Sequence, residues 1–104
     1  MNKPKRSRTA RREMERKVER LAKDRERLFG HEPGGSAERP IEVDSAAVVE
    51  VRARSVPCPT CGGEHDVNEH AAVTTRGDRL REVKLRCRRC GASRSLWFRL
   101  PVLN

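Results

Sequence analysis

The sequence predicts a small, metal-stabilised α+β domain: an antiparallel sheet of three to four strands pinned by cysteines and preceded by a basic N-terminal α-helix. Three observations predict it. All four cysteines of the 104-residue chain fall in two hooks, Cys58-Pro-Thr-Cys61-Gly62 and Cys87-Arg-Arg-Cys90-Gly91, in the pattern C-x2-C-x25-C-x2-C. Thr9 to Phe29 contains neither Gly nor Pro and consists mostly of strong helix formers. Beyond residue 46 the apolar period changes from that of a helix to two.

The hooks carry the most specific signal. A tetrahedral Zn²⁺ takes four soft ligands, and two residues between paired cysteines let both thiolates turn toward one ion. Gly62 and Gly91 follow the second cysteine of each pair, where a sharp turn asks for positive φ. One Zn²⁺ per chain, held by Cys58, Cys61, Cys87 and Cys90, is the expectation. The competing reading is two disulfides, as in small secreted domains. Met1-Asn-Lys-Pro-Lys-Arg-Ser-Arg leads into no apolar core of a signal peptide, and no apolar run is long enough to span a membrane. A reducing cytoplasm, where CxxC pairs read as metal ligands, is the expected setting.

Composition bounds the rest. With 38% charged and 35% hydrophobic residues and three aromatics, the chain is one domain that buries a small core. Its formal charge of +9 is uneven. Residues 1–30 hold twelve Lys/Arg against five Asp/Glu, residues 31–50 one against five, and residues 51–104 eleven against five. Basic ends flank an acidic middle, which favours a polyanionic partner over a membrane.

In chain order, residues 1–8 form a basic arm expected to be disordered when free. Residues 9–29 follow as a basic helix, with Gly30 at the C-cap position. Met14, Val18, Leu21 and Leu28 draw a narrow apolar stripe along it, interrupted by Arg25. Three uses compete: docking on the domain, lying along a phosphate backbone, or a short coiled-coil seam with 14, 18, 21, 25 and 28 as its a and d positions. Residues 30–45, with Pro33-Gly-Gly-Ser and four acids, read as an acidic Pro/Gly linker.

Residues 46–104 are the sheet domain. Ala47, Val49, Val51 and Ala53 alternate with Val48, Glu50, Arg52 and Arg54, predicting a half-buried strand that runs toward the first hook. A weaker strand follows around Ala72-Val73-Thr74, then a turn at Arg76-Gly77-Asp78. Leu80 to Arg86 and Arg94 to Leu100 supply two more strands. On the last, Leu96, Phe98 and Leu100 oppose Ser95, Trp97 and Arg99.

Residues 58–98 resemble a zinc ribbon, in which two CPxCG-type hooks clamp one Zn²⁺ at the end of a three-stranded antiparallel sheet. The long spacer, the basic segment before the second pair and Cys90-Gly91-Ala-Ser-Arg-Ser-Leu-Trp97 are similar to the C-terminal ribbon of transcript-cleavage elongation factors. That resemblance implies a place in transcription or translation. The cleavage factors carry an adjacent Asp-Glu pair at the hairpin tip, where this chain has only Asp78 between Arg76-Gly77 and Arg79. A lone carboxylate between cations is a poor ligand for a catalytic metal, so no catalytic residue is assigned.

His65 and His70 are alternative ligands that a Cys₄ site does not need, and His31 reads as surface. Trp97 is either covered by the 47–54 strand or an exposed platform for an unpaired base. The expected function is a non-enzymatic, monomeric binding module for nucleic acid or a nucleoprotein machine. Arg6, Arg8, Arg11, Arg12, Arg16 and Arg20 of the arm and helix would contact the backbone. Arg76, Arg79, Arg81, Arg88 and Arg89 of the ribbon, with Arg86, Arg94 and Trp97, would make the second contact. An adaptor docking on an acidic protein complex shares the same features. A rubredoxin-like iron centre fits the hooks but not the charge.

Overall fold

The computed structural model describes residues 7–102. Most of the expected basic arm, Arg6 included, therefore lies outside the described residues. Helix α1 spans Ser7–Phe29, strand β1 Ile41–Glu42, helix α2 Val49–Ser55 after a 3₁₀ turn at Ala46–Val48, and strands β2, β3 and β4 span His65–Thr75, Asp78–Cys87 and Ser93–Arg99. The helix and the last three strands stand close to where periodicity puts them.

The sheet has the order β1-β4-β3-β2. Strands β2, β3 and β4 pair antiparallel, with His65 opposite Cys87 and Val83 opposite Leu96. The expectation of an antiparallel sheet needs correction at its edge, because β1 runs parallel to β4 through Ile41 and Phe98. Glu42 forms an ion pair with its neighbour Arg99, and the Val43 N–H donates to the Arg99 carbonyl at 3.1 Å. Residues 30–45 thus do more than span a gap. Val43 is buried, Ile41 packs against the core, and the Trp97 N–H donates to the Gly34 carbonyl at 2.8 Å. Their spacer-like composition hides three apolar or backbone anchors along the outer edge of β4.

The predicted strand over 47–54 is also corrected, since it is a helical turn and a short helix. Val49 and Ala53 lie four apart as well as an even number apart, and they are the two side chains that the core buries. Val51 belongs to the same alternating set, yet it is 66% exposed. Both edges of the four-stranded sheet are taken by β1 and β2, and what remains open is a face, which a helix covers with an i,i+4 pair. Tertiary packing overrides the β propensity of the three valines.

That face holds the core. Val83 and Leu85 of β3 meet Leu96 and Phe98 of β4, with Val49 and Ala53 above them and Phe29, Val43 and Leu100 at the rim. At roughly 1.5–3 kcal/mol for each large apolar side chain fully buried, a core this small leaves stability marginal without a further constraint. The opposite face carries no helix among the described residues, although Leu80, in register with Arg99 there, is buried. Trp97 is half-buried there across from Glu82, so segment 47–54 does not cover it but packs on the other side of the sheet.

Helix α1 meets the rest of the chain in its last two turns, through Arg25, Glu26 and Phe29. The molecule measures 78 × 24 × 15 Å. A helix of 23 residues spans about 34 Å and an 11-residue strand about 36 Å, so helix and sheet lie nearly end to end. The apolar stripe finds no cover: Met14, Val18 and Leu28 are each 60% exposed and Leu21 55%.

Candidate metal centre

The two hooks meet at one end of the sheet because β2 begins four residues after Cys61 and β3 ends at Cys87, with His65 directly opposite Cys87. Each hook makes the same backbone turn. The Gly62 N–H donates to the Cys58 carbonyl at 2.7 Å and the Gly91 N–H to the Cys87 carbonyl at 3.0 Å. Both glycines have φ of 76°, a conformation that costs a β-carbon-bearing residue energy. The hooks are tied to each other where the Arg88 N–H donates to the Glu64 carbonyl at 2.8 Å.

The four sulfurs lie within 4.8 Å of one another. Sγ of Cys58 is 3.7 Å from that of Cys90, and Sγ of Cys61 is 3.4 Å from that of Cys87. Tetrahedral coordination with metal–sulfur bonds of about 2.3 Å puts sulfurs about 3.8 Å apart. All four cysteines are free thiols, and the disulfide reading is set aside. Gly63 closes the cradle, since a β-carbon there would lie 2.9 Å from Sγ of Cys87 and 2.8 Å from Cβ of Arg89.

Electrostatics prepares the sulfurs unequally. The Cys90 N–H, before any other group, holds the Cys87 thiol down at about 6 against its burial, helped by the Arg89 N–H. Burial pushes the Cys58 thiol up, but the N–H groups of Cys61 and Thr60 and the neighbouring sulfurs outweigh it and its pKa falls. For Cys90 the Ala92 N–H favours the thiolate, yet burial and three nearby sulfurs drive the thiol up to about 11. Four thiolates this close need a cation between them. A soft S₄ donor set with tetrahedral spacing fits a dication such as Zn²⁺.

Neither nearby histidine is drawn into the cluster. The His65 ring is buried, with Nδ1 2.8 Å from the Val56 carbonyl oxygen and Nε2 against the Arg94 guanidinium. A carbonyl only accepts and a guanidinium only donates, which fixes the neutral tautomer with its proton on Nδ1. His70 Nδ1 is 3.2 Å from Glu50 Oε2 on α2, and its Nε2 is buried without a partner among the described residues. His31 is exposed, as expected.

Sequence reading missed the second polar feature of this end. Arg94 was expected to meet a ligand, but its side chain is 4% exposed and ion-paired to Glu26 of α1. It also stacks over the Phe29 ring, 6.0 Å from the centroid. Thr60, inside the first hook, donates to Glu26 Oε1 at 3.1 Å, and its carbonyl accepts from Arg25 at 2.7 Å. The first cysteine hook thereby also seats the helix. A signal was present: Arg94 shares its strand face with Leu96, Phe98 and Leu100.

The remaining expected contact residues fall into two groups. Arg8, Arg11, Arg12, Arg16 and Arg20 are exposed on α1. Arg88 and Arg89 are exposed at the second hook, but Arg88 is engaged by Asp66 at 2.7 Å and Glu64 at 3.4 Å. Arg76 and Arg79 stand at the β2–β3 tip with Arg81, half-buried, one turn of the pleat behind. The length of β2, about 36 Å, separates that tip from the hooks. Helix and tip are not brought together into one patch. Comparison with known proteins gives no family model, no curated relative and no solved structure that matches the chain.

Proposed function

We propose that the chain is a non-enzymatic zinc-ribbon protein that binds nucleic acid, alone or within a nucleoprotein machine, by its backbone. The observation that carries the reading is the segregation of charge on the projecting helix. Around α1, Arg12, Arg16, Arg20, Lys23 and Arg27 share one face, on which, among the described residues, only Arg27 has a carboxylate partner, Asp24 at 3.1 Å across its edge, while Glu13, Glu15, Glu19 and Asp24 lie between that face and the apolar stripe. Successive members rise by three or four residues, about 4.5–6 Å, along some 22 Å of helix. This is a ridge suited to a run of phosphates along one strand. Zn²⁺, when bound, fixes the two hooks and so the seat of the helix; no chemical step is required of it. The arginines of the hairpin tip, at the far end of a long molecule, offer a second and separate backbone contact.

Contacts to phosphate release counterions, so log K should fall with log salt at a slope of about −0.9 per contact on duplex DNA and about −0.7 on a single strand. Five contacts on the ridge give slopes near −4.5 and −3.5. Fluorescence anisotropy with labelled single-stranded and duplex oligonucleotides, over a salt series, measures them. Replacing Arg12, Arg16 and Arg20 together by glutamine should flatten the slope by about two to three. A flat salt response of the parent protein, or no binding at low salt, sinks the reading and turns the search to an acidic protein partner.

A further inference from the structure

We infer that α1 pairs with α1 of a second copy of the chain, antiparallel, through the exposed stripe. Met14, Val18, Leu21, Arg25 and Leu28 are spaced by four, three, four and three residues, the 3.5-residue repeat of a helix–helix seam. The stripe is uncovered by the chain's own sheet, and its apolar members are more than half exposed. The spacing places Arg11, Val18 and Arg25 at a positions and Met14, Leu21 and Leu28 at d positions.

Charge then decides the partner and the direction. A parallel pair would set Arg25 against Arg25 and Arg11 against Arg11 in the seam, two like-charge layers that oppose association. An antiparallel pair instead sets a against d. Val18 meets Leu21 of the second copy twice at the centre, Arg25 meets Met14 and Arg11 meets Leu28. The same register brings Lys17 of each chain beside Asp24 of the other. Asp24 is already within 3.1 Å of Arg27 on its own helix and keeps exposed oxygen for a second cation. Arg25 is tethered through its guanidinium to the Thr60 carbonyl, leaving its methylene stem to cover Met14. The basic ridges, opposite the stripe, face outward on both sides of the pair and stay free.

With four apolar side chains per helix the seam is small, so half-association is expected in the range of tens of micromolar. Sedimentation velocity of the full, metal-loaded chain between about 5 and 500 µM, at roughly physiological salt, tests it. The expected result is a concentration-dependent, elongated dimer. Leu21→Glu should abolish it while leaving metal content and circular dichroism unchanged, since Leu21 is 55% exposed and lies outside the core cluster. Lys17→Asp and Asp24→Lys should each weaken dimerisation by roughly tenfold, and the double swap should restore it. A chain that stays monomeric at the highest concentration overturns the proposal, as does a dimer indifferent to Leu21→Glu. A double swap that fails to restore association overturns the antiparallel register. None of these outcomes depends on nucleic acid, whose binding is read separately by its salt slope.

Discussion

Glu26 in the last two turns of α1 and Arg94 in β4, 68 positions apart in sequence, form the ion pair that seats the helix on the sheet. Arg94 is buried while Glu26 is about one-third exposed, so the pair sits between the costly buried and the weak surface limits. Removing the carboxylate strands a buried guanidinium. Glu26→Ala should destabilise the metal-loaded protein by about 2–3 kcal/mol, measured by urea unfolding, and should raise hydrogen exchange at the C-terminal end of α1. Unchanged stability would mean that the helix seat contributes nothing.

His65 couples that seat to pH. Burial is the main cause that lowers its pKa, and the charge of Arg94 adds to it against the Val56 carbonyl and Glu26. Because the folded value lies below the unfolded value of about 6.5, the contribution to stability is complete above about pH 6.5 and is lost as pH falls through the folded value. Long-range ¹H–¹⁵N NMR should show the Nδ1–H tautomer at neutral pH and a titration midpoint below 6.5. A midpoint above that value would contradict the hydrogen-bond assignment.

Metal removal tests the small core. The sheet buries few large side chains, and structural zinc contributes about 10–16 kcal/mol of apparent binding energy in small zinc-finger peptides. A strong chelator should therefore abolish the β-sheet circular dichroism, and Zn²⁺ should restore it with one ion per chain. Persistence of the folded sheet without metal would refute a structural role for the site.

How far the sequence reveals this end of the molecule depends on the range of the cause. The hooks are local: cysteine spacing and the trailing glycines determine them, and the four sulfurs stand where the motif puts them. Helix α1 is local as well. The 47–54 segment misleads because Val49 and Ala53 satisfy both periods, and the choice was made by the open sheet face, which no local pattern records. Ile41 and Val43 hide in an acidic, glycine-rich stretch because a two-residue parallel strand has almost no periodicity to detect. The Glu26–Arg94–His65 cluster joins three distant segments, and only the inward phase of Arg94 betrays it.

Gly62 and Gly63 are adjacent and should fail differently. A β-carbon on Gly62 meets nothing within 4 Å, but the residue sits at φ 76°. Gly62→Ala should cost about 1 kcal/mol of stability and leave metal affinity nearly unchanged. On Gly63 the β-carbon would press on Sγ of Cys87 and Sγ of Cys61, at 2.9 and 3.2 Å. Gly63→Ala should lower Zn²⁺ affinity by at least about tenfold, read by competition with a chromophoric chelator. Equal losses of affinity in both variants would show that the hook conformation, and not space around the sulfurs, limits binding.

Trp97 is the chain's only tryptophan and stands half-buried on the face of the sheet opposite α2. Its neighbours there are largely neutralised, because Arg99 pairs with Glu42, Lys84 with Glu69 at 3.3 Å, and Ser95 donates to Glu82 at 2.8 Å. This face therefore attracts phosphate weakly, and what it can offer a single strand is a ring for one unpaired base, worth about 1–3 kcal/mol. Trp97→Ala should keep the fold, since α2 and the core lie on the other side. If the ring stacks on a base, the substitution lowers single-strand affinity by roughly tenfold, spares duplex affinity, and the parent's fluorescence is quenched on binding. Loss of folding would instead make Trp97 a packing residue against the Gly34 edge, and unchanged affinity with intact folding would confine nucleic-acid contact to the helix ridge and the hairpin tip.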